Sequence, residues 1–551
     1  MNYAEWKNRL AGIDRSRFKQ SGQWEGKTVA DYARIRAEEH PDRTAAVDGD
    51  LRISYGELWR EACRVAAGLR DLGLQRGDVI SFQLPNWWET VVINLAASMG
   101  GWAVNPIVPI YRDAEVGFIL RDCDAKVVFV PERFRSIDYV EMMGRLKEAD
   151  PTLGTRLITV RGTSADHAGG LTYEKLGRGM APWSGVDPDA DDLKLILYTS
   201  GTTGRPKGVL HSSNTLAAEL KAVVDFWRIG TDDVVIMPSP VTHITGYSYA
   251  LEFVFYAGIK IVLMDRWDAK AAVDLIATEG ATFTVAATPF LAELTAFVES
   301  SNVQLPRFRL FASGGAPVPP DLVRRAASAL SSCLVCRVYG SSETPTVSLG
   351  INRAEDAQLG ATTDGKIWNN DVRVVDPVTG EVVATGQEGE ITVMGPEIMI
   401  GYLREDDNRS AFTPDGYFMT GDLGTVSDDG FITITGRKKD LIIRGGENLS
   451  PKEVEDILHS HPDVLEAAVV AMPHERLGET PCAYVVLKPG ASMDLEGMGS
   501  FLESKRLARQ KIPEKLIVRD ALPKTASGKV LKHVLRREIA TPAVTGEAVR
   551  S

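Results

Sequence analysis

Leu193-Lys-Leu-Ile-Leu-Tyr-Thr-Ser-Gly-Thr-Thr-Gly-Arg-Pro-Lys-Gly208 opens as a β-rich apolar run and turns, without a break, into a loop of hydroxyls and glycines. Its last eleven residues, from Tyr198, hold four Ser/Thr hydroxyls and three glycines, with Arg205 and Lys207 beside them. Glycines let backbone N–H groups approach phosphate oxygens, hydroxyls add donors, and Lys207 adds positive charge. The stretch therefore reads as a strand feeding a phosphate loop. It is not a Walker A loop, because Pro206 stands where the second glycine belongs and Gly208 where Ser or Thr should follow the lysine.

Outward from this loop, short β-rich segments at Val234–Met237, Ile259–Met264, Phe283–Ala287, Phe308–Ala312 and Leu334–Tyr339 alternate with helical stretches such as Pro320–Leu330. That alternation predicts an α/β fold of largely parallel sheets covered by helices. Upstream, Ser54-Tyr-Gly-Glu57 is a capping box, followed at helical spacing by Leu58, Ala62, Val65, Leu69 and Leu72, and Val79–Leu84 reads as a strand. Past residue 350 the texture changes to short strands (Val372–Val375, Glu390–Val393, Phe431–Thr435) divided by Gly, Asp and Pro turns, a small β-barrel-like subdomain. Ser450-Pro-Lys-Glu453 predicts a second capping box that opens a compact α+β unit with strands at Val469–Met472 and Ala483–Leu487. We divide the chain into a large domain, 1–436, with subdomains of about 1–185, 186–350 and 351–436, a hinge at 437–439, and a small C-terminal domain, 440–551, whose tail from Thr541 is small and polar.

The 551 residues carry 62 basic and 74 acidic side chains, a net charge of −12, which argues against general binding of nucleic acid or anionic membranes while leaving room for a local phosphate site. Hydrophobic content of 44% and charged content of 25% are ordinary for a globular protein. The N-terminus lacks an apolar signal core, and no run of about eighteen apolar residues occurs, so a cytoplasmic protein without an integral membrane segment is expected. The five cysteines are too few and scattered for a disulfide framework, and Cys333 and Cys336 sit in a segment that reads as buried strand. A homodimer is left open.

The phosphate loop and six further motifs in order resemble the adenylate-forming superfamily of acyl- and aryl-CoA synthetases, peptide-synthetase adenylation domains and firefly luciferase. The six are Ser313-Gly-Gly-Ala-Pro317, Tyr339-Gly-Ser-Ser-Glu-Thr344, Tyr417-Phe-Met-Thr-Gly-Asp422, Gly436-Arg-Lys-Lys-Asp440, Arg444-Gly-Gly-Glu-Asn448 and Pro523-Lys-Thr-Ala-Ser-Gly-Lys529. The resemblance implies ATP, Mg2+ and coenzyme A as co-substrates and a small C-terminal domain that rotates as a lid. It implies nucleotide contacts from Thr199, Ser200, Gly201, Thr202, Thr203, Gly204 and Lys207, from Gly315, Ala316 and Pro317, and from Tyr339, Gly340, Ser341, Ser342 and Thr344. Glu343 would hold Mg2+, which takes few protein ligands and completes its shell with phosphate and water. Asp422 and Arg437 would hold the ribose, the carboxylate offering two acceptors to a vicinal diol.

By the same resemblance Lys529 bridges the attacking carboxylate and the α-phosphate, with Thr199 and Glu343 also in the catalytic set, and Lys439 is the hinge residue that absorbs the domain rotation. Gly445, Gly446 and Glu447 would border the coenzyme A channel. His243, Tyr247, Gly314 and Gly340 would border the acyl pocket, with Trp227 and Ala312 as further candidates. Asp225 reads as an exposed helix residue, and nothing else offers a charged partner for a second polar group, so an apolar acid is expected. The texture of Leu84-Pro-Asn-Trp-Trp-Glu89 and Asn105-Pro-Ile-Val-Pro-Ile110 is similar to medium-chain, alicyclic and aryl acid CoA ligases, cyclohexanecarboxylate–CoA ligases among them. Two alternatives stand beside an acid–CoA ligase: a stand-alone adenylation enzyme that loads a carrier protein, and a catalytically silent nucleotide-binding protein.

Overall fold

The strand that leads into the phosphate loop, Leu193–Thr199, lies inside an eight-stranded sheet. A computed structural model describes residues 16–162, 171–181, 183, 185, 188–199, 205–445, 447–524 and 529–540. Across this sheet the order is Gly401–Tyr402, Lys207–Ser212, Leu193–Thr199, Ala103–Pro106, Val79–Phe82, Ala125–Pro131, Arg156–Val160 and Leu171–Thr172. The first two pairings are antiparallel and the remaining five parallel. A second sheet has seven strands: Leu334–Arg337, Leu310–Ser313, Phe283–Ala286, Val234–Met237, Lys260–Leu263, Thr44–Asp48 and Leu51–Ser54. Only its last pairing is antiparallel. The α/β class expected from the alternating pattern is thus the observed one.

The subdomain break expected near residue 185 does not separate the two sheets. Thr44–Asp48 pairs in parallel with Lys260–Leu263, and Leu193–Thr199 pairs in parallel with Ala103–Pro106, so each sheet draws strands from both sides of that point. Parallel neighbours require crossovers, and a crossover carries no local mark of which sheet receives it.

Helix Tyr55–Asp71 shows how local signals place an element. Ser54 N–H donates to Glu57 Oε2 at 2.7 Å while Ser54 Oγ accepts from the Glu57 N–H, closing the expected box, and Leu58, Ala62, Val65 and Leu69 are buried along one face. Four antiparallel strands, Asp371–Val375, Gly389–Met394, Phe418–Val426 and Ile432–Arg437, make the small β unit, whose Ile391, Val393 and Ile432 pack with Val209 of strand Lys207–Ser212 and with Val347. Beyond it, Glu447–Leu449, Ile442–Arg444, Gly478–Leu487 and Val464–His474 form a sheet joined by Lys515–Val518, with clusters around Val469 and Tyr484 drawn only from residues 442–539.

The second capping box does not form. Ser450 stands at the N-cap of helix Pro451–His459, but its hydroxyl donates to the Thr435 carbonyl in the last strand of the β unit, and Glu453 pairs with Lys511 at 2.5 Å. A bond across the domain junction has displaced a local one. Cys333 and Cys336 are buried, as expected of core residues, and all five cysteines are free. No helix among the described residues is long and apolar enough to cross a membrane.

Candidate active site

Strands Leu310–Ser313 and Leu334–Arg337 run in parallel side by side, so the loops that follow them emerge together at their carboxyl ends, where open α/β sheets bind ligands. These loops are Gly314–Pro317 and Val338–Thr344. Two glycines are demanded by the close approach: a Cβ on Gly314 would lie 2.5 Å from the Val338 carbonyl oxygen, and one on Gly340 would lie 2.0 Å from that of Pro345. Gly315 and Pro317 are exposed and Ala316 half-buried, with the Pro317 carbonyl accepting from the Thr288 hydroxyl at 3.0 Å.

In the second loop, Ser341 Oγ accepts from the N–H groups of Glu343 (3.2 Å) and Thr344 (3.3 Å), and the His211 Nε2–H donates to the Ser342 carbonyl at 2.7 Å. His211 lies in strand Lys207–Ser212, so one ring ties the phosphate-loop strand to this loop. The Thr344 hydroxyl is buried and has no partner, an orphan donor aimed at nothing in the protein. The Glu343 carboxylate accepts from the Tyr402 hydroxyl at 2.9 Å.

Thr199 pairs with Lys207 across the phosphate-loop hairpin; Ser200, Gly201, Thr202, Thr203 and Gly204 lie outside the described residues. The Lys207 ammonium sits 4.8 Å above the Tyr402 ring and 3.5 Å from Asp407, which also pairs with Arg205 at 3.1 Å. Lys207, Tyr402 and Glu343 thus form one row. Tyr402 and Asp407 escaped the sequence reading: only the pairing of Gly401–Tyr402 with Lys207–Ser212 brings them in, and no local motif signals that pairing.

The other candidates converge on Asp422, which is 4% exposed. Its carboxylate accepts from the Tyr339 hydroxyl at 2.7 Å and from the Arg437 guanidinium, and Asp422 and Arg437 face each other across an antiparallel ladder. Burial pulls the Arg437 pKa down, yet the adjacent Asp422 outweighs it and holds the guanidinium above its ordinary value. Lys529, from the small domain, joins this cluster. Arg437 above all, then burial and Lys439, push its ammonium down to about 8 against the opposing pull of Asp422 and Asp440. Lys529 itself is exposed to solvent.

Lys439 is also held below its ordinary value, by burial and then by Arg437, within the short turn Lys438–Asp440. Lys438 anchors the same turn to the β unit through the Pro377 carbonyl and Glu390, each at 2.9 Å. Gly445 and Glu447 lie in the hairpin of Ile442–Arg444 and Glu447–Leu449, where the Gly445 N–H donates to Leu477 at 2.8 Å; Gly446 lies outside the described residues.

On the acid side, the His243 Nε2 is buried without a partner and burial pushes its pKa down to about 4, so the ring is neutral at physiological pH. Tyr247 is wholly buried and its hydroxyl donates to Asn94 at 2.6 Å, which makes it part of the supporting core and not a free polar contact for substrate. Trp227 likewise commits its indole N–H to the Ile351 carbonyl at 3.1 Å, and Asp225 is exposed, as expected. Ala312 is fully buried.

A family model for AMP-binding enzymes matches residues 33–403, and one for the AMP-binding enzyme C-terminal domain matches 453–529. The chain belongs to the AMP-binding enzyme family. It is an AMP-forming acyl-CoA synthetase of the adenylate-forming superfamily, a class that uses ATP, Mg2+ and coenzyme A. The medium-chain fatty-acid–CoA ligase of Escherichia coli (strain K12) is 35% identical over 529 residues, 95% of this chain and 93% of that protein. The vibriobactin-specific 2,3-dihydroxybenzoate–AMP ligase of Vibrio cholerae is 32% identical over 550 residues, 98% of each chain. Among solved structures, ATP-bound MatB from Rhodopseudomonas palustris superposes with a TM-score of 0.81 at 31% identity, covering 93% of this chain and 99% of that one.

The residues present suit a magnesium ion held with ATP. Among the described residues no three His, Cys, Asp or Glu side chains cluster as a self-sufficient metal site, so Glu343 would bind the ion together with phosphate oxygens and water. The orphan Thr344 hydroxyl one residue on suits a phosphate oxygen.

Proposed function

We propose that this enzyme joins an apolar medium-chain, alicyclic or aryl carboxylic acid to coenzyme A in two half-reactions. The acid carboxylate attacks the α-phosphorus of ATP, pyrophosphate leaves, and the thiol of coenzyme A then displaces AMP from the acyl-adenylate. The observation that carries this reading is the meeting of Tyr339, Asp422, Arg437 and Lys529 from three distant parts of the chain. In-line attack on a polyanion needs positive charge converging where the two anions meet.

In this reading Lys207 and the Ser200–Gly204 loop hold the outer phosphates, Thr344 the α-phosphate, and Asp422 and Arg437 the ribose. Tyr339 offers a flat face to adenine, and Gly315, Ala316 and Pro317 border the nucleotide. Magnesium at Glu343 would neutralise phosphate charge. Lys529 bridges the attacking carboxylate and the α-phosphate. For the second half-reaction the domain from 440 onward turns about Lys439 and brings Gly445, Gly446 and Glu447 to the thiol's path. His243 and Gly314 would border the acid, and the buried, neutral His243 ring offers it no charged partner, which supports an apolar acid. We infer a cytoplasmic site of action, supported by five cysteines that are all free.

A panel of acids in ATP–pyrophosphate exchange, repeated with coenzyme A to detect thioester, tests both halves. Exchange with apolar acids and coenzyme A-dependent AMP release are expected. Exchange that leaves free coenzyme A unused would favour carrier loading, and absence of exchange with every acid would leave only a silent nucleotide binder.

A further inference from the structure

Thr346 lies two residues beyond Thr344, and all its polar atoms are held from elsewhere in the chain. Its N–H donates to Glu397 Oε1 at 3.0 Å, its carbonyl accepts from Asn370 Nδ2 at 3.0 Å, and its hydroxyl donates to Glu219 Oε1 at 3.2 Å. Glu219, on helix Ser213–Trp227, also accepts from the Ser248 hydroxyl at 2.7 Å, and Asn370 Nδ2 reaches Glu397 Oε1 at 3.2 Å. Glu397 opens a turn whose Met399 N–H donates to the Glu343 carbonyl at 2.8 Å, so the turn grips the Ser341–Thr346 loop at two points.

Both carboxyl groups are sealed from water, at 1% and 0% exposure, and among the described residues no Lys or Arg lies in ion-pair range of either. Glu397 Oε2 has no partner at all. An ionised carboxylate so placed is costly, whereas the neutral acid is tolerated. Burial first, and then Glu219's charge, raise Glu397 well above its ordinary value; burial also lifts Glu219, to about 7, with Glu252 adding to it. Glu252 is itself matched by Lys194 at 3.8 Å, and the Tyr249 hydroxyl lies close enough to both glutamates to feel their charge.

We propose that Glu219 and Glu397 are positioning residues of the adenylation site, two carboxyl groups that clamp Thr346 and so hold Glu343 and Thr344 where magnesium and the α-phosphate bind. The inference rests on the roles given above to Glu343 and Thr344. Neither glutamate touches substrate; each acts through the loop.

The test uses the full-length enzyme and pyrophosphate exchange, reading KM for Mg-ATP and for the acid separately alongside the melting temperature. Glu397→Ala should raise KM for Mg-ATP about tenfold, the scale of one lost buried hydrogen bond, with acid KM within about twofold. Glu397→Gln should restore most of it, since an amide oxygen accepts the same N–H and carries no charge. Thr346→Val and Glu219→Ala break the same contact, so the double variant should be no worse than the poorer single one. A folded Glu397→Ala enzyme with both KM values unchanged, or raised together, overturns the proposal. Should that variant not fold, strictly additive effects of Thr346→Val and Glu219→Ala overturn it instead. A wild-type enzyme inactive in exchange with every acid refutes the underlying roles of Glu343 and Thr344, a result distinct from unaltered variants of an active enzyme.

Discussion

At the scale of single residues, Lys529 and Thr344 both serve the adenylation half-reaction in the proposed mechanism. Lys529→Ala should abolish most pyrophosphate exchange while sparing thioester formation from preformed adenylate, because in the proposed mechanism the lysine acts only while carboxylate and phosphate are being joined; equal loss of both half-reactions would refute that division. With its pKa at about 8 in the free enzyme, the ammonium is progressively lost as pH rises through that value. The kcat/KM of exchange should therefore fall above about pH 8 with a limb that the thioester half-reaction lacks. Thr344→Val removes a hydroxyl that no protein group satisfies, so melting temperature should hold or rise while exchange drops by about tenfold or more, a combination a structural threonine would not produce. Neither of these residues stands out by type. Their motifs identified them, whereas the orphaned hydroxyl and the charge pressing on Lys529 exist only after folding.

At the scale of elements, the junction between the β unit and the small domain is held by specific contacts. The Ser450 hydroxyl donates to Thr435, Lys438 binds Glu390, and Arg536 of helix Lys532–Ala540 pairs with Asp440 at 2.9 Å. Lys439 sits in a one-turn 3-10 segment between these anchors. Lys439→Pro fixes φ near the value such a turn already uses, so exchange should stay within about twofold while thioester formation from preformed adenylate falls at least about tenfold. Equal effects on the two steps, measured by single-turnover assays, would remove Lys439 from the hinge role. The Ser450-Pro-Lys-Glu453 signal placed the helix and its N-cap residue correctly but not the cap's side-chain bonds, because a capping rule weighs only local acceptors and Thr435 lies fifteen residues upstream.

Whole-molecule stability should carry the mark of the buried glutamates. Glu219 ordinarily titrates near 4.5 and is lifted by burial to about 7. The folded protein thus keeps a proton that the unfolded chain releases, and the stability this group contributes is full below about pH 4.5 and lost as pH rises through about 7. Thermal melts from pH 5.5 to 8 should show the wild type losing ground to Glu219→Gln as pH rises; parallel curves would show that the carboxyl does not titrate in this window.

The sequence by itself determined the α/β class, the phosphate loop and the ordered string of motifs, since strand periodicity, glycine spacing and hydroxyl clusters are local properties of the chain. Tertiary structure decided the rest. The interleaving of strands across residue 185, the row of Lys207, Tyr402 and Glu343, the clamp on Thr346 and the meeting of Lys529 with Asp422 and Arg437 all join residues far apart in the chain. Such pairings follow from how helices and sheets close over a shared core, and an overall charge of −12 can then surround a site where Arg437 and Lys439 press close enough to Lys529 to lower its pKa.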